Sequence, residues 1–126
     1  MNSEQAINQF WNSFGWRAVD EQSAYDDRMD LEFPYITYSV AVSELDEPVA
    51  LTADLWDRST SWKMVTEKSQ EIAKYIKNMN PIPLDKGYMW ITTGSPFAQR
   101  MAEDTGLAEI RRVYLNINVE FLTTWR

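Results

Sequence analysis

Residues 51–62, LTADLWDRSTSW, contain the point where a strand pattern changes into a helix pattern. As far as Trp56, apolar and polar residues alternate, which is the period of a half-buried strand. From Trp62 onward, the apolar residues recur at helical spacing. We therefore expect Leu55 and Trp62 to face the core. Trp56 lies on the other strand face, where it either belongs to a surface that a neighbour covers or packs beneath a loop.

Strands and helices extend from this segment in both directions. Residues 35–42 are rich in β-branched and aromatic residues and predict a strand, which forms a hairpin with a strand at 49–56. The apolar residues of 3–14 and 60–79 predict amphipathic helices. The stretch 18–32 carries six acids and no clear period, and we interpret it as a loop.

The C-terminal part of the chain predicts two more strands. They cover 87–93 and 110–122, and a long connector, 94–109, joins them. The second strand alternates clearly, and its thirteen residues span about 43 Å at ~3.3 Å each. Ordinary strands are half as long. We therefore expect it to extend beyond its own sheet or to pair with another molecule.

These elements have the order α-β-β-α-β-β. Such an order predicts an α+β fold, with one mostly antiparallel four-stranded sheet and both amphipathic helices packed on one face. A chain of 126 residues is typical of one domain, so we treat 1–126 as a single domain.

Composition argues against several classes of function. The chain has 19 acids, 12 bases and a net charge of −7, which argues against tight binding to nucleic-acid phosphates. It has no Cys and no His, which removes thiol nucleophiles, histidine bases and the usual zinc ligands. We expect no cofactor and no metal. No apolar run approaches the length of a membrane span, and we expect no membrane partner.

Carboxylate pairs offer the best enzyme hypothesis. Two acids can hydrolyse a glycosidic bond, and Asp54 with Asp57 is one such pair; Asp26 with Asp27 and Glu103 with Asp104 are the others. Surface acids are common, however, and strand neighbours point to opposite faces. We therefore predict no catalytic residues.

Aromatic residues favour a protein interface. Six tryptophans are more than one small core easily hides, because each indole N–H needs a hydrogen-bond partner. Tyr and Trp are enriched where proteins meet. A small adaptor that binds another protein through this aromatic surface is therefore one hypothesis.

The whole pattern resembles the tail terminator, or tail completion, proteins of long-tailed bacteriophages. The resemblance lies in a hairpin, then LTADLWDRSTSW, then an amphipathic helix, then a strand pair ending in RRVYLNINVEFLT at 111–123. PYITYSV at 34–40 is similar to the first strand of the family, and GSPFAQR at 94–100 to a segment of phage tail genes. The match runs from Ile7 to Thr123, although the acidic stretch 18–32 has no counterpart.

The resemblance implies a non-enzymatic structural protein. It would form a homohexameric ring that caps the tail tube, ends tail polymerisation and helps to join tail and head. Its partners would be other copies of itself, the tail tube protein and the head–tail connector protein, and DNA would pass through the lumen without specific binding. It would assemble in the host cytoplasm and reside in the tail or neck of the virion. A head-side connector or stopper of the neck is the alternative.

We expect two kinds of contact in such a ring. The segments 18–32 and 94–109 are candidates for tube or lumen contacts, because long connectors in compact domains are often functional. The residues predicted at subunit or tube interfaces are Trp56, Arg58, Phe97, Arg100, Arg112, Tyr114 and Glu120.

Overall fold

Three helices and six strands are formed by the residues that the structure, a computed structural model, describes; these are 1–26, 30–40, 49–101 and 109–122. In chain order the elements are α1 (Ser3–Asn12), β1 (Arg17–Asp20), α2 (Glu21–Asp26), β2 (Tyr35–Tyr38), β3 (Val49–Arg58), α3 (Lys63–Asn78), β4 (Ile82–Leu84), β5 (Gly87–Met101) and β6 (Ile110–Leu122).

The strands form one mixed sheet with the order β1-β2-β3-β6-β5-β4. β1 and β2 are parallel, and the other neighbours are antiparallel. The sheet curls into a half-barrel. The predicted fold, a mostly antiparallel four-stranded sheet with two helices in the order α-β-β-α-β-β, is therefore wrong. The prediction missed β1, α2 and β4, each of which is short.

The acidic stretch 18–32 was predicted as a loop, but its first half is ordered. Arg17–Asp20 pairs with β2, and Glu21–Asp26 forms α2. The outer edge of β1 is closed by a side chain: Asn12 at the end of α1 donates to the carbonyl oxygen of Ala18 and accepts from its N–H, both at 3.0 Å. This amide takes the place of a neighbouring strand, which stabilises a strand too short to be recognised from its pattern.

β5 continues well beyond its predicted end at residue 93. Its second half pairs with β6 from Ala98 to Met101, after a register shift between Thr93 and Ala98. Gly94 lies in this bulge, where a Cβ atom would be 2.8 Å from the Cβ of Asn116. The predicted connector is therefore strand as far as Met101. Residues 102–108 of this connector lie outside the described residues, and Glu109 is in a turn.

β6 has the predicted bounds, Ile110–Leu122, but a different role. It is a central strand that pairs with β3 on one side over Ile110–Val119 and with β5 on the other side over Arg112–Leu122, apart from the bulge opposite Asn116. Its length is used within its own sheet. The expectation that it extends beyond the sheet is therefore wrong.

The core lies between one sheet face and the helices α1 and α3, which follow the predicted amphipathic patterns. Leu55 and Leu115 are fully buried on this face. Trp11 of α1 is buried too and stacks on Tyr38 at 6.4 Å. Trp62, at the start of α3, is half-buried and packs against the core, as its spacing predicts.

Candidate protein-binding surface

The sheet face opposite α1 and α3 is the candidate functional surface, and we call it the open face. Along β3 and β6, buried core positions alternate with half-buried or exposed ones, and α2 contacts mainly β1 and β2. The register places the open-face residues next to one another in rows. They include Tyr35, Thr37, Thr52, Asp54, Trp56, Arg58, Tyr88, Trp90, Thr92, Arg112, Tyr114, Asn116, Asn118 and Glu120.

Five of the seven predicted interface residues share this face: Trp56, Arg58, Arg112, Tyr114 and Glu120.

The other two predicted residues lie elsewhere. Phe97 is in the β5 bulge and packs against the core. Arg100 is opposite Val113, a core position, and its guanidinium lies 4.9 Å from the ring centre of Trp62. The bulge explains the position of Arg100, because its extra residues shift the alternation of the strand.

Trp56 belongs to a continuous series of contacts between aromatic rings and guanidinium groups. Its ring stacks on that of Tyr35 at 6.0 Å, and the Arg112 guanidinium lies over it at 4.9 Å. The contacts continue from Tyr35 to the Phe33 ring, which is tilted by 46° at 5.1 Å, and then to Arg58, 5.4 Å from the Phe33 ring centre. We call these five residues the aromatic ladder.

Hydrogen bonds hold the ladder in place. The Trp56 indole N–H donates to the hydroxyl of Thr37 at 2.9 Å. Arg112 Nε donates to Asp54 Oδ1 at 2.7 Å, and the Asp54 side chain is only 7% exposed. The burial of a charged carboxylate is tolerable because it is paired. Trp56 and Arg112 are therefore fixed before any partner arrives.

A second aromatic cluster occupies the other end of the open face. Tyr88, Trp90 and Leu122 are each more than 40% exposed, and Glu120 is opposite Trp90 in the register. Exposed large apolar residues that adjoin polar ones mark binding surfaces. The open face thus combines Trp, Tyr and Arg, the residue types that dominate protein–protein hot spots.

Asp54 and Asp57, the pair behind the enzyme hypothesis, are not neighbours. Both are buried, but Asp54 lies on the open face and Asp57 on the core side of the same strand. Two carboxylates separated by a sheet cannot act on one bond. The Asp26 side chain, Asp27, Glu103 and Asp104 lie outside the described residues.

The described part of the chain contains no group of three or more acidic side chains able to hold a metal ion. None of its helices combines the length and apolar character needed to cross a bilayer.

Tyr38 sits in a polar groove along α1. Its hydroxyl accepts a hydrogen bond from Asn8 Nδ2 at 2.7 Å. Burial raises the pKa of Tyr38, the Asn8 hydrogen bond opposes that rise, and nearby Asp20 and Glu4 add to it. The hydroxyl thus remains neutral and serves to fix α1 on β2.

Comparison of the chain with models of known protein families and with curated proteins gives no match. The surface is therefore interpreted from its own geometry. The sequence alone could have indicated Tyr35 and Thr37, which alternate with the core residue Ile36. Phe33 could not be foreseen, because it precedes the strand and carries no periodic signal.

Proposed function

We propose that this protein is a non-enzymatic structural protein of a long-tailed phage. It caps the tail tube as a ring, ends tail polymerisation and contributes to the head–tail joining interface. The observation that carries the assembly role is the open face with its aromatic ladder. The resemblance of the chain to tail terminators supplies the phage context.

The rigidity of the ladder is what favours assembly. A side chain that is ordered only on binding loses about 0.5–1.5 kcal/mol of conformational free energy. Trp56 and Arg112 are already held by Thr37 and Asp54, so their contacts avoid most of this cost. A preorganised Trp–Arg surface suits an interface that must form reliably in a large particle.

The length of β6 no longer supports the ring. That strand is paired on both sides within its own sheet. What supports self-association now is the open face, together with the resemblance. Acidic net charge remains compatible with a ring through which DNA slides, since acidic linings repel phosphate.

A head-side neck connector is a second candidate, because the same open face would serve it equally well. A small adaptor is a third, since an aromatic surface alone does not specify its partner. These candidates differ in what covers the open face: tube protein and other copies, connector protein, or one foreign protein.

The test combines assembly with binding. Solution mass across concentration and negative-stain images would be measured first, and then binding of the protein to purified tail tubes that lack a cap. Six-fold rings, or tubes of defined length capped by the protein, are expected. A protein that never forms rings and never binds tubes would refute the proposal, and a stable one-to-one complex with a foreign protein would favour the adaptor.

Two matched variants would test the role of the open face. Trp90→Ser alters an exposed residue of this face, whereas Met64→Ser alters an equally exposed apolar residue on α3. We expect only Trp90→Ser to weaken assembly, by roughly tenfold or more if Trp90 is a hot spot. Equal effects of the two changes would show that the open face has no special part in assembly.

A further inference from the structure

All five arginines that the structure describes lie at one end of the sheet. Arg17 is the first residue of β1 and Arg58 the last of β3. Arg111 and Arg112 are the second and third residues of β6, and Arg100 is the last but one of β5. In the register they fall within four consecutive rows, which is about 10 Å along the strands. We call this region the arginine end.

Four of these guanidinium groups lie over aromatic rings. The pairs are Arg58 on Phe33, Arg112 on Trp56, and both Arg100 and Arg111 on Trp62, at 4.9–5.4 Å. Stacking holds the plane of a guanidinium and leaves the N–H donors at its edge available. Such groups are prepared to bind planar anions.

Arg112 shows which anion a stacked guanidinium takes in this protein. It lies on Trp56 and donates to the carboxylate of Asp54 at 2.7 Å. Arg58 and Arg100 also lie over aromatic rings, at 5.4 and 4.9 Å, and are exposed. Neither has a carboxylate within ion-pair distance among the described residues.

We propose that the arginine end binds a partner protein that presents Asp and Glu side chains, with Arg58 and Arg100 each donating to a carboxylate. Within the proposed tail cap, on which this inference rests for its context, the arginine end is the side that contacts the acidic partner. Repetition around a ring would multiply each weak pair, because linked sites bind with high effective concentration.

Carboxylates fit this end better than nucleic-acid phosphates. Strand-binding proteins offer free aromatic faces in a continuous basic groove, but here guanidinium groups cover the Phe33, Trp56 and Trp62 rings. Exposed Glu32 and Glu109 also lie at this end, and a continuous phosphate backbone would pass close to them. Individual protein carboxylates can approach Arg58 and Arg100 while avoiding these acids.

The test uses the full chain with ¹⁵N-labelled arginine. The Nε–Hε signals would be followed by NMR while a polyglutamate peptide, and in a parallel titration duplex DNA, is added. We expect the peptide to shift the Arg58 and Arg100 signals most, and to bind more tightly than the DNA at equal ionic strength. Tighter DNA binding, or peptide binding that leaves these two signals unchanged, would overturn the proposal.

Variants separate guanidinium recognition from general charge. Arg58→Gln with Arg100→Gln should weaken peptide binding at least about tenfold. Lys74→Gln with Lys77→Gln removes the same charge from exposed positions in the last turns of α3 and should change it little. Arg58→Lys with Arg100→Lys keeps the charge but not the planar fork, and should also weaken binding. If Lys74→Gln with Lys77→Gln weakens peptide binding as much as Arg58→Gln with Arg100→Gln does, the proposal is refuted.

The two proposals can fail separately. If both proposals hold, we expect Arg58→Gln with Arg100→Gln to abolish tube binding while ring formation is retained. If this double variant still binds tubes normally, only the proposal about the arginine end is overturned. A wild-type chain that binds polyglutamate through Arg58 and Arg100 but never joins tails would overturn only the tail cap.

Discussion

Replacing Arg112 by Met isolates the ion pair beneath the aromatic ladder. Met keeps an unbranched apolar stem that can still cover Trp56. It cannot donate to Asp54, whose side chain is 7% exposed and whose Oδ1 accepts from Arg112 Nε at 2.7 Å. The substitution therefore leaves a charged carboxylate buried without this partner.

The expected loss follows from this geometry. Removing one partner from a fully buried ion pair costs about 3–5 kcal/mol. The Arg112 side chain is 26% exposed, so water can reach part of the site and the cost falls to about 2–3 kcal/mol. Loss of the cation–π contact with Trp56 adds about 0.5 kcal/mol. We expect the free energy of unfolding to fall by about 3 kcal/mol, which is roughly 12 °C in Tm for a chain of this length.

Urea unfolding followed by tryptophan fluorescence would measure this loss. Asp54→Asn removes the carboxylate charge that Arg112→Met would leave without its partner. The double variant, Arg112→Met with Asp54→Asn, should therefore be more stable than Arg112→Met alone. Arg100→Met is the matched control: it also removes a guanidinium from a tryptophan face, but none of the described carboxylates pairs with Arg100. We expect it to lower the free energy of unfolding by about 1 kcal/mol or less. A loss below about 1 kcal/mol for Arg112→Met, or a double variant less stable than Arg112→Met, would refute the reasoning.

Three further predictions follow from single contacts. Asn12→Ala removes both hydrogen bonds to Ala18 and opens the β1 edge, so we expect a loss of about 1–2 kcal/mol and increased light scattering with time; unchanged scattering would show that the edge is protected otherwise. Gly94→Ala brings a Cβ to 2.8 Å from that of Asn116, and calorimetry should show a loss of about 1–3 kcal/mol; a wild-type melting temperature would contradict it. Burial raises the pKa of Tyr38 above its usual 10.0. The contribution of neutral Tyr38 to the free energy of unfolding is therefore complete below pH 10.0 and is lost as the pH rises through the pKa of the folded protein. Subtracting the ultraviolet pH titration of Tyr38→Phe from that of the wild type should leave one ionisation with a midpoint above the usual pKa. A midpoint at or below the usual pKa would contradict the prediction.

Sequence periodicity identified β6 and α3 because their patterns are local and uninterrupted. β6 alternates over its whole length, and α3 repeats its apolar residues over four turns, so both were predicted close to their observed bounds. The same alternation placed Leu55 on the core side and Trp56 on the other face. Most of the open face follows from these two facts.

The missed elements depend on contacts that no local pattern carries. β1 has four residues, and an amide of α1 closes its outer edge. β4 has three residues and pairs only with the start of β5. In β5, Gly94 and Pro96 resemble a turn, yet the strand continues because β6 offers a partner on the far side of the bulge. Pairing with a distant strand outweighs local propensity here.

The corrected sheet also changes what an assembly must use. In the predicted four-stranded sheet, the excess length of β6 could have paired with another copy. In the six-stranded sheet β6 is central. One sheet edge is the short β1, whose outer side Asn12 closes. The other edge is β4, which covers β5 only at Gly87–Met89, and then β5 itself. Beyond Met89, β5 has a bulge and Pro96, both of which discourage strand addition. Assembly should therefore proceed through side chains of the open face and the arginine end, and substitutions there should affect it more than substitutions along either sheet edge.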